Sequence, residues 1–189
     1  MTLLISMGLA TCLRHSWFPH EIPYKKEITY YSCKNKINPV IVASVVATES
    51  SFNRYALVYE RNVHDYSIGL MQLRSTTARL LGYKGPFNGL YSARTNLMYG
   101  IKYLKTRILQ YPSNYDGIEA YNTGKPKWSD HCRCYLTTSG KRNYYVRKVI
   151  NNLKRITGNK YGRKYKYSWR SHLPVTKTVE FAELRHSGQ

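Results

Sequence analysis

The chain has 189 residues, 42% of them hydrophobic, which suits about one domain plus tails and is long enough for a real core. No stretch approaches the ~18 apolar residues that a membrane-spanning helix needs. Thirty Lys and Arg against ten Asp and Glu leave a formal net charge of +20, which calls for an anionic partner: nucleic acid, a membrane surface or an acidic polymer.

Residues 1 to 35 read as a basic and apolar lead-in. Leu3 to Ala10 is apolar enough for a short export-signal core, and Leu9-Ala10-Thr11-Cys12 is faintly similar to a lipoprotein cleavage site. No Lys or Arg precedes it, however, and Thr is a poor residue before the cysteine, so the export question stays open. Pro19 and Pro23 break any regular element before residue 37.

Asn38-Pro39 opens the core, with Asn38 as N-cap and Pro39 at the first helical position. Ile41, Val45 and Glu49 then share one helical face, broadened by Val42 and Val46, although a β-branched run of this kind also suits a strand. The stripe is apolar until Glu49. A carboxyl there loses solvation and stays protonated near neutrality, which general-acid chemistry requires, unless the helix end simply points it to water. After Ser50-Ser51-Phe52-Asn53, residues 59 to 65 read as a loop or short hairpin. Ser67 to Leu73 form a compact apolar turn, and Ser75 or Thr76 caps a short helix ended by Gly82.

A longer helix is expected over about 93 to 110, with Leu97, Ile101, Leu104 and Ile108 at helical spacing and Pro112 as its stop. Asp116 is placed to cap another, running towards Gly124. Glu119 lies on a different face from Tyr121 and is expected to face solvent. Cys132-Arg133-Cys134 beside His131 offers metal-ligating types, but two further ligands at metal spacing are not evident, so an ordinary loop is expected, with no metal or cofactor. Tyr145, Val149, Leu153 and Ile156 mark a last amphipathic helix. The expected division is a lead-in over 1–35, a mostly helical domain over 36–157, and a basic, tyrosine-rich tail over 158–189.

Read together, Glu49-Ser50, Gly69-Leu70-Met71-Gln72, Asn96-Leu97 with Gly100, Ala120-Tyr121-Asn122 with Gly124, and Tyr145-Val146 with Val149 form an ordered set. In that order the chain closely resembles the catalytic domain of lytic transglycosylases of the soluble type, the lysozyme-like enzymes that cut peptidoglycan. The stretch from Tyr59 to Gln72 is most similar to versions found in bacteriophages. The resemblance implies a mostly α, lysozyme-like α+β fold with a small hairpin beside the cleft. It also implies that Glu49 is the single catalytic carboxylate, giving 1,6-anhydro ends at the MurNAc–GlcNAc bond. It places Met71 and Gln72 along the glycan cleft and the Tyr121 hydroxyl close to the acid. Ser50, Ser67, Gly69, Asn122 and Tyr145 complete the implied substrate-binding set.

Met71 also reads as core filler, and Tyr121 as a packed tyrosine. Gln72 is harder to explain that way, because a buried amide must find partners and a sugar acetamido group is a natural one. Hydrolytic relatives carry a second carboxylate where this chain has Ser67. Retaining hydrolysis needs one about 5 Å from the acid, so its absence favours the route through the substrate's own groups. Asp65, two residues from Ser67 along an extended segment, is the residue that would restore a hydrolytic muramidase. The basic tail, with Arg163-Lys164-Tyr165-Lys166-Tyr167, is expected to hold a monomeric enzyme on an anionic wall or membrane surface in the bacterial cell wall or periplasm. A non-catalytic nucleic-acid binder would use the same residues for phosphate contacts and stacking, but leaves the ordered core motifs unexplained. A third reading keeps the fold as a structural part of a virion or secretion machine.

Overall fold

The computed structural model describes residues 2–137 and 139–158. The basic tail therefore lies outside the described residues, apart from Gly158. Among the described residues, seven α-helices and two small antiparallel sheets follow in chain order: α1 (Thr2–Arg14), α2 (Lys25–Lys34), α3 (Pro39–Ser50), strands β1 (Leu57–Glu60), β2 (Asp65–Ile68) and β3 (Leu73–Arg74), then α4 (Ser75–Leu80), α5 (Ala93–Gln110) and α6 (Asn114–Thr123), strands β4 (Trp128–Ser129), β5 (Cys134–Leu136) and β6 (Arg142–Asn143), and α7 (Tyr145–Ile156), with a short 3-10 turn over Phe87–Tyr91. The fold is mostly α, as expected, with the β1-β2-β3 sheet as the small lobe. None of these helices is long and apolar enough to cross a membrane.

The hub is α3. The Asn38 side chain accepts the Val40 N–H at 2.8 Å, and Pro39 occupies the first turn, where its missing N–H leaves nothing unsatisfied. Every residue from Pro39 to Val46 is buried. An apolar run with no polar face suits a helix enclosed by neighbours, so the expected one-sided stripe is instead buried all round. Helix α7 packs along α3, α2 lies beside both α3 and α5, and α5 packs against α6. Ser51, at φ 51°, ends α3 and turns the chain towards the small lobe.

Three expectations need correction here. The lead-in is not irregular: α2 places Ile28 and Tyr31 in the core, and a disulfide joins Cys12 of α1 to Cys33 of α2. Pro19 and Pro23 break the chain only before α2 begins. The cap of α6 is Ser113, whose hydroxyl accepts the Tyr115 N–H at 3.1 Å, while Asp116 accepts the Tyr135 hydroxyl at 2.8 Å. Finally, the cysteine segment is a three-stranded β4-β5-β6 sheet in which Cys132 and Cys134 form a disulfide, so neither sulfur is available to a metal.

Candidate active site

Glu49 sits in the last turn of α3, where the helix leaves the core and the small lobe begins. The Tyr145 hydroxyl, from the first turn of α7, donates to Glu49 Oε1 at 2.5 Å. The two helices are also tied next to the acid, where Asn152, two turns along α7 from Tyr145, donates its Nδ2 to Thr48 Oγ1 at 3.0 Å. The backbone that carries the acid and the backbone that carries its tyrosine therefore move as one unit.

The electrostatics of Glu49 suit an acid. Burial raises its pKa from 4.5 to about 7; the Tyr145 hydrogen bond pulls it down, and the Glu60 charge pushes it up. Burial and the Glu49 charge also hold Tyr121 and Tyr145 well above the ordinary phenol value, so both hydroxyls keep their protons and act as donors.

The turn after β2 is built around Asn96. This fully buried side chain accepts the Met71 N–H at 2.8 Å and donates to the Ile68 and Leu90 carbonyls at 2.8 and 3.0 Å. Gly69, at φ +75°, passes so close that a Cβ there would lie 2.5 Å from Asn96 Nδ2. Ser50 donates to the Leu70 carbonyl at 2.8 Å, pinning the turn to the end of α3. Tyr121 donates to the Met71 carbonyl at 2.6 Å, pinning it from α6.

With that geometry in place, residues 26–137, more than half of the chain, match the transglycosylase SLT domain family. The chain belongs to that family. Its fold is also similar to the crystal structure of an inactive glutamate-to-glutamine mutant of the lytic transglycosylase Slt from Pseudomonas aeruginosa, with a TM-score of 0.55 and 19% identity. The match covers 78% of this chain and 25% of that one, so this chain spans about a quarter of that protein's length.

Within this SLT domain the sequence-predicted residues separate into groups. Glu49 and Tyr145 meet; Tyr121, expected close to the acid, feels the Glu49 charge but donates its hydroxyl to the Met71 carbonyl. The tyrosine bonded to Glu49 is Tyr145, because α7 runs alongside α3. Met71 is fully buried against Gly100, where a Cβ would lie 2.6 Å from its sulfur; its side chain is core, and its backbone serves the turn. Gln72 donates its amide to the Ala56 and Gly69 carbonyls at 3.2 and 3.1 Å, which answers the partner question inside the protein. Asn122 is exposed beside the buried Tyr121.

Asp65, the residue expected to restore a hydrolytic site, has its oxygens engaged within the small lobe. Its oxygens accept the Ser75 and Thr76 hydroxyls and the Tyr66 and Thr76 N–H groups, capping α4 from outside that helix. Burial works against its charge, yet these bonds outweigh it and hold the carboxyl below the ordinary range. Glu119, expected in solvent, is fully buried, and burial raises its pKa to about 7. Sequence reasoning also missed Glu60, which accepts the Ser67 hydroxyl at 2.9 Å. The signal lay in the alternation: Val58 and Glu60 share a face of β1, and Asp65 and Ser67 share the facing positions of β2.

Among the described residues, no group of three His, Cys, Asp or Glu side chains is arranged to hold a metal ion. What the site offers is one protonatable carboxyl, aimed by a phenol, at the mouth of an apolar helix.

Proposed function

We propose that the chain is a peptidoglycan lytic transglycosylase that cuts the β-1,4 bond from MurNAc to GlcNAc. The observation that carries this reading is Glu49: a carboxyl with its pKa raised to about 7, held by Tyr145, in a family member. A group poised near neutrality works in both directions, as acid and as base. Glu49 gives its proton to the bridging oxygen, and the bond from that oxygen to C1 of MurNAc breaks. The N-acetyl oxygen of the same sugar stabilises C1. The Glu49 carboxylate then takes the proton of the C6 hydroxyl, whose oxygen closes on C1. The acid is restored, no water is consumed, and the new end is 1,6-anhydro.

The test is Glu49→Gln, assayed on purified cell wall with mass spectrometry of the products. The wild type is expected to leave ends one water lighter than hydrolysed ends, and the variant to lose on the order of 10²- to 10⁴-fold in rate while staying folded. Retention of more than about a tenth of the rate would remove Glu49 from the mechanism, since general acid–base help is worth far more than that. Reducing ends would make the protein a muramidase.

Two disulfides, Cys12–Cys33 and Cys132–Cys134, favour work in an oxidising compartment outside the cytoplasm, where a monomer meets the wall. The tail with Lys160, Arg163, Lys164, Lys166 and Arg170 supplies a tether to that anionic surface. Deleting residues 159–189 should weaken binding to whole walls and flatten its salt dependence, since screening acts over about 10 Å at 0.1 M. Turnover of short soluble glycans should hardly change. Unaltered wall binding would rule the tether out.

A further inference from the structure

Glu119 is a fully buried carboxyl that the proposed reaction does not use. Its Oε1 accepts the Asn143 Nδ2 at 2.5 Å, and the Val146 N–H also bonds to this carboxyl. Both partners belong to the start of α7. A helix leaves its first N–H groups without partners inside itself, so they must be met from elsewhere. Tyr144 holds the N-cap position of α7 and makes no capping bond with its side chain. Instead the Tyr145 N–H is accepted by Asn143 Oδ1 at 2.9 Å, and the Val146 N–H by Glu119. The cap of α7 is thus supplied from α6, with Asn143 of β6 as its relay. The first residue of the capped turn is Tyr145, whose hydroxyl donates to Glu49 Oε1 at 2.5 Å. A connected series of bonds therefore runs from Glu119 through Asn143 and Tyr145 to the acid. Two turns on, Asn152 and Thr48 already fix α7 to α3, so the aim of Tyr145 depends on how the first turn is held.

We infer that Glu119 is a positioning residue for the catalytic acid: by capping α7 it sets where the Tyr145 hydroxyl stands, and so how Glu49 is aimed. The idea deepens the lytic transglycosylase reading and rests on it. Glu119 makes no bond to Glu49 or to the sugar in this scheme; it acts through the first turn of α7. The other capped helices show why this is more than a way to start a helix. Asn38 on α3, Ser92 on α5 and Ser113 on α6 each meet an early N–H from the N-cap residue itself. A cap of that kind begins a helix without tying it to anything. An acceptor on a neighbouring helix also locates the turn it caps. Helix α6 holds the other side of the site as well, because Tyr121, two residues after Glu119, bonds the Met71 carbonyl. Glu119 Oε2 makes no hydrogen bond among the described residues, which leaves the other oxygen to do the holding.

Glu119→Ala tests the idea, read as pH profiles of kcat and KM on soluble glycan fragments. Without Glu119 the first turn of α7 loosens, and the Tyr145 hydroxyl holds the Glu49 carboxylate less well. The alkaline limb should then move up by roughly half a pH unit, the direction set by weakening a donor to the charged form. At the optimum kcat should fall roughly 3- to 10-fold, since small misplacements of a catalytic group are costly, with KM unchanged. Glu119→Gln keeps an acceptor for Asn143 and Val146 and should recover most of the loss. The titratable groups facing Glu119 are Asp116 on its own helix, Tyr135 from β5 and Tyr145 from α7, so removal of its charge is a second route to the site. The sign separates the routes, because losing a negative charge moves the limb down, in Glu119→Gln as much as in Glu119→Ala. A limb that moves down or stays in place would overturn the inference. So would additive losses when Glu119→Ala is combined with Tyr145→Phe, since a residue that works through the Tyr145 hydroxyl has nothing left to position once that hydroxyl is gone. If Glu119→Ala does not fold, Asn143→Ala, at a half-buried position, breaks the same series and is read in the same way. No outcome here touches the parent reading, which stands or falls on Glu49→Gln and on the anhydro ends of the wild type.

Discussion

The influences on Glu49 pull in opposite directions, and the one from Tyr145 can be removed with a single oxygen atom. Tyr145 donates a hydrogen bond that favours the ionised carboxylate, whereas burial and Glu60 favour the protonated acid. Tyr145→Phe should therefore move the alkaline limb of the activity profile up, because loss of the donor makes the carboxylate harder to form. The same variant should lower kcat by roughly tenfold or more, since the returning base loses the group that aims it. Tyr121→Phe keeps the ring and removes only the bond to the Met71 carbonyl, so it should leave the limb in place. A downward limb in Tyr145→Phe would mean that the hydroxyl stabilises the protonated acid instead.

At the scale of elements, what the sequence makes legible is what local rules determine. Asn38-Pro39 marks the start of α3, Leu97 to Ile108 mark the body of α5, and Tyr145, Val149 and Leu153 mark α7, because caps and helical period are properties of neighbouring residues. The site divides the same way. Glu49 can be found because a carboxyl at the end of an apolar helix is locally anomalous. That Tyr145 rather than Tyr121 reaches it depends on α7 lying along α3, a pairing between segments 96 residues apart. Helix α4 shows the limit most plainly. Ser75 and Thr76 look like capping residues, but they donate their hydroxyls to Asp65, a carboxylate on another element that also accepts the Thr76 N–H. Glu119 escapes sequence reading for the same reason: its neighbour on the page is Tyr121, but its neighbours in space are Asn143, at 2.5 Å, and the Val146 N–H.

Among the described residues of the whole molecule, two carboxyls, Glu49 and Glu119, are each raised from 4.5 to about 7, chiefly by burial. A carboxyl with a folded pKa above its unfolded value supports the fold fully below about pH 4.5, and that support is lost as pH rises through 7. Melting temperature should respond accordingly, although the self-repulsion of a +20 chain eases over the same interval and runs the other way. Glu119→Gln separates the two, since it removes one ionisation and leaves the rest of the charge intact. The variant should gain on the wild type by on the order of 1–3 kcal/mol between pH 4.5 and 8. Parallel curves would show that Glu119 ionises without cost, through the Asn143 and Val146 donors. The enclosure of α3 has a further consequence, for motion. Amides from Val42 to Val46 lie where exchange with solvent requires the whole domain to open, whereas β1, with Leu57, Val58 and Tyr59 exposed, can part from β2 in a local event. The acid is thus mounted on the part of the molecule that yields last. The small lobe is the side free to give way, the side that the proposed reaction would let adapt to differently decorated glycan strands.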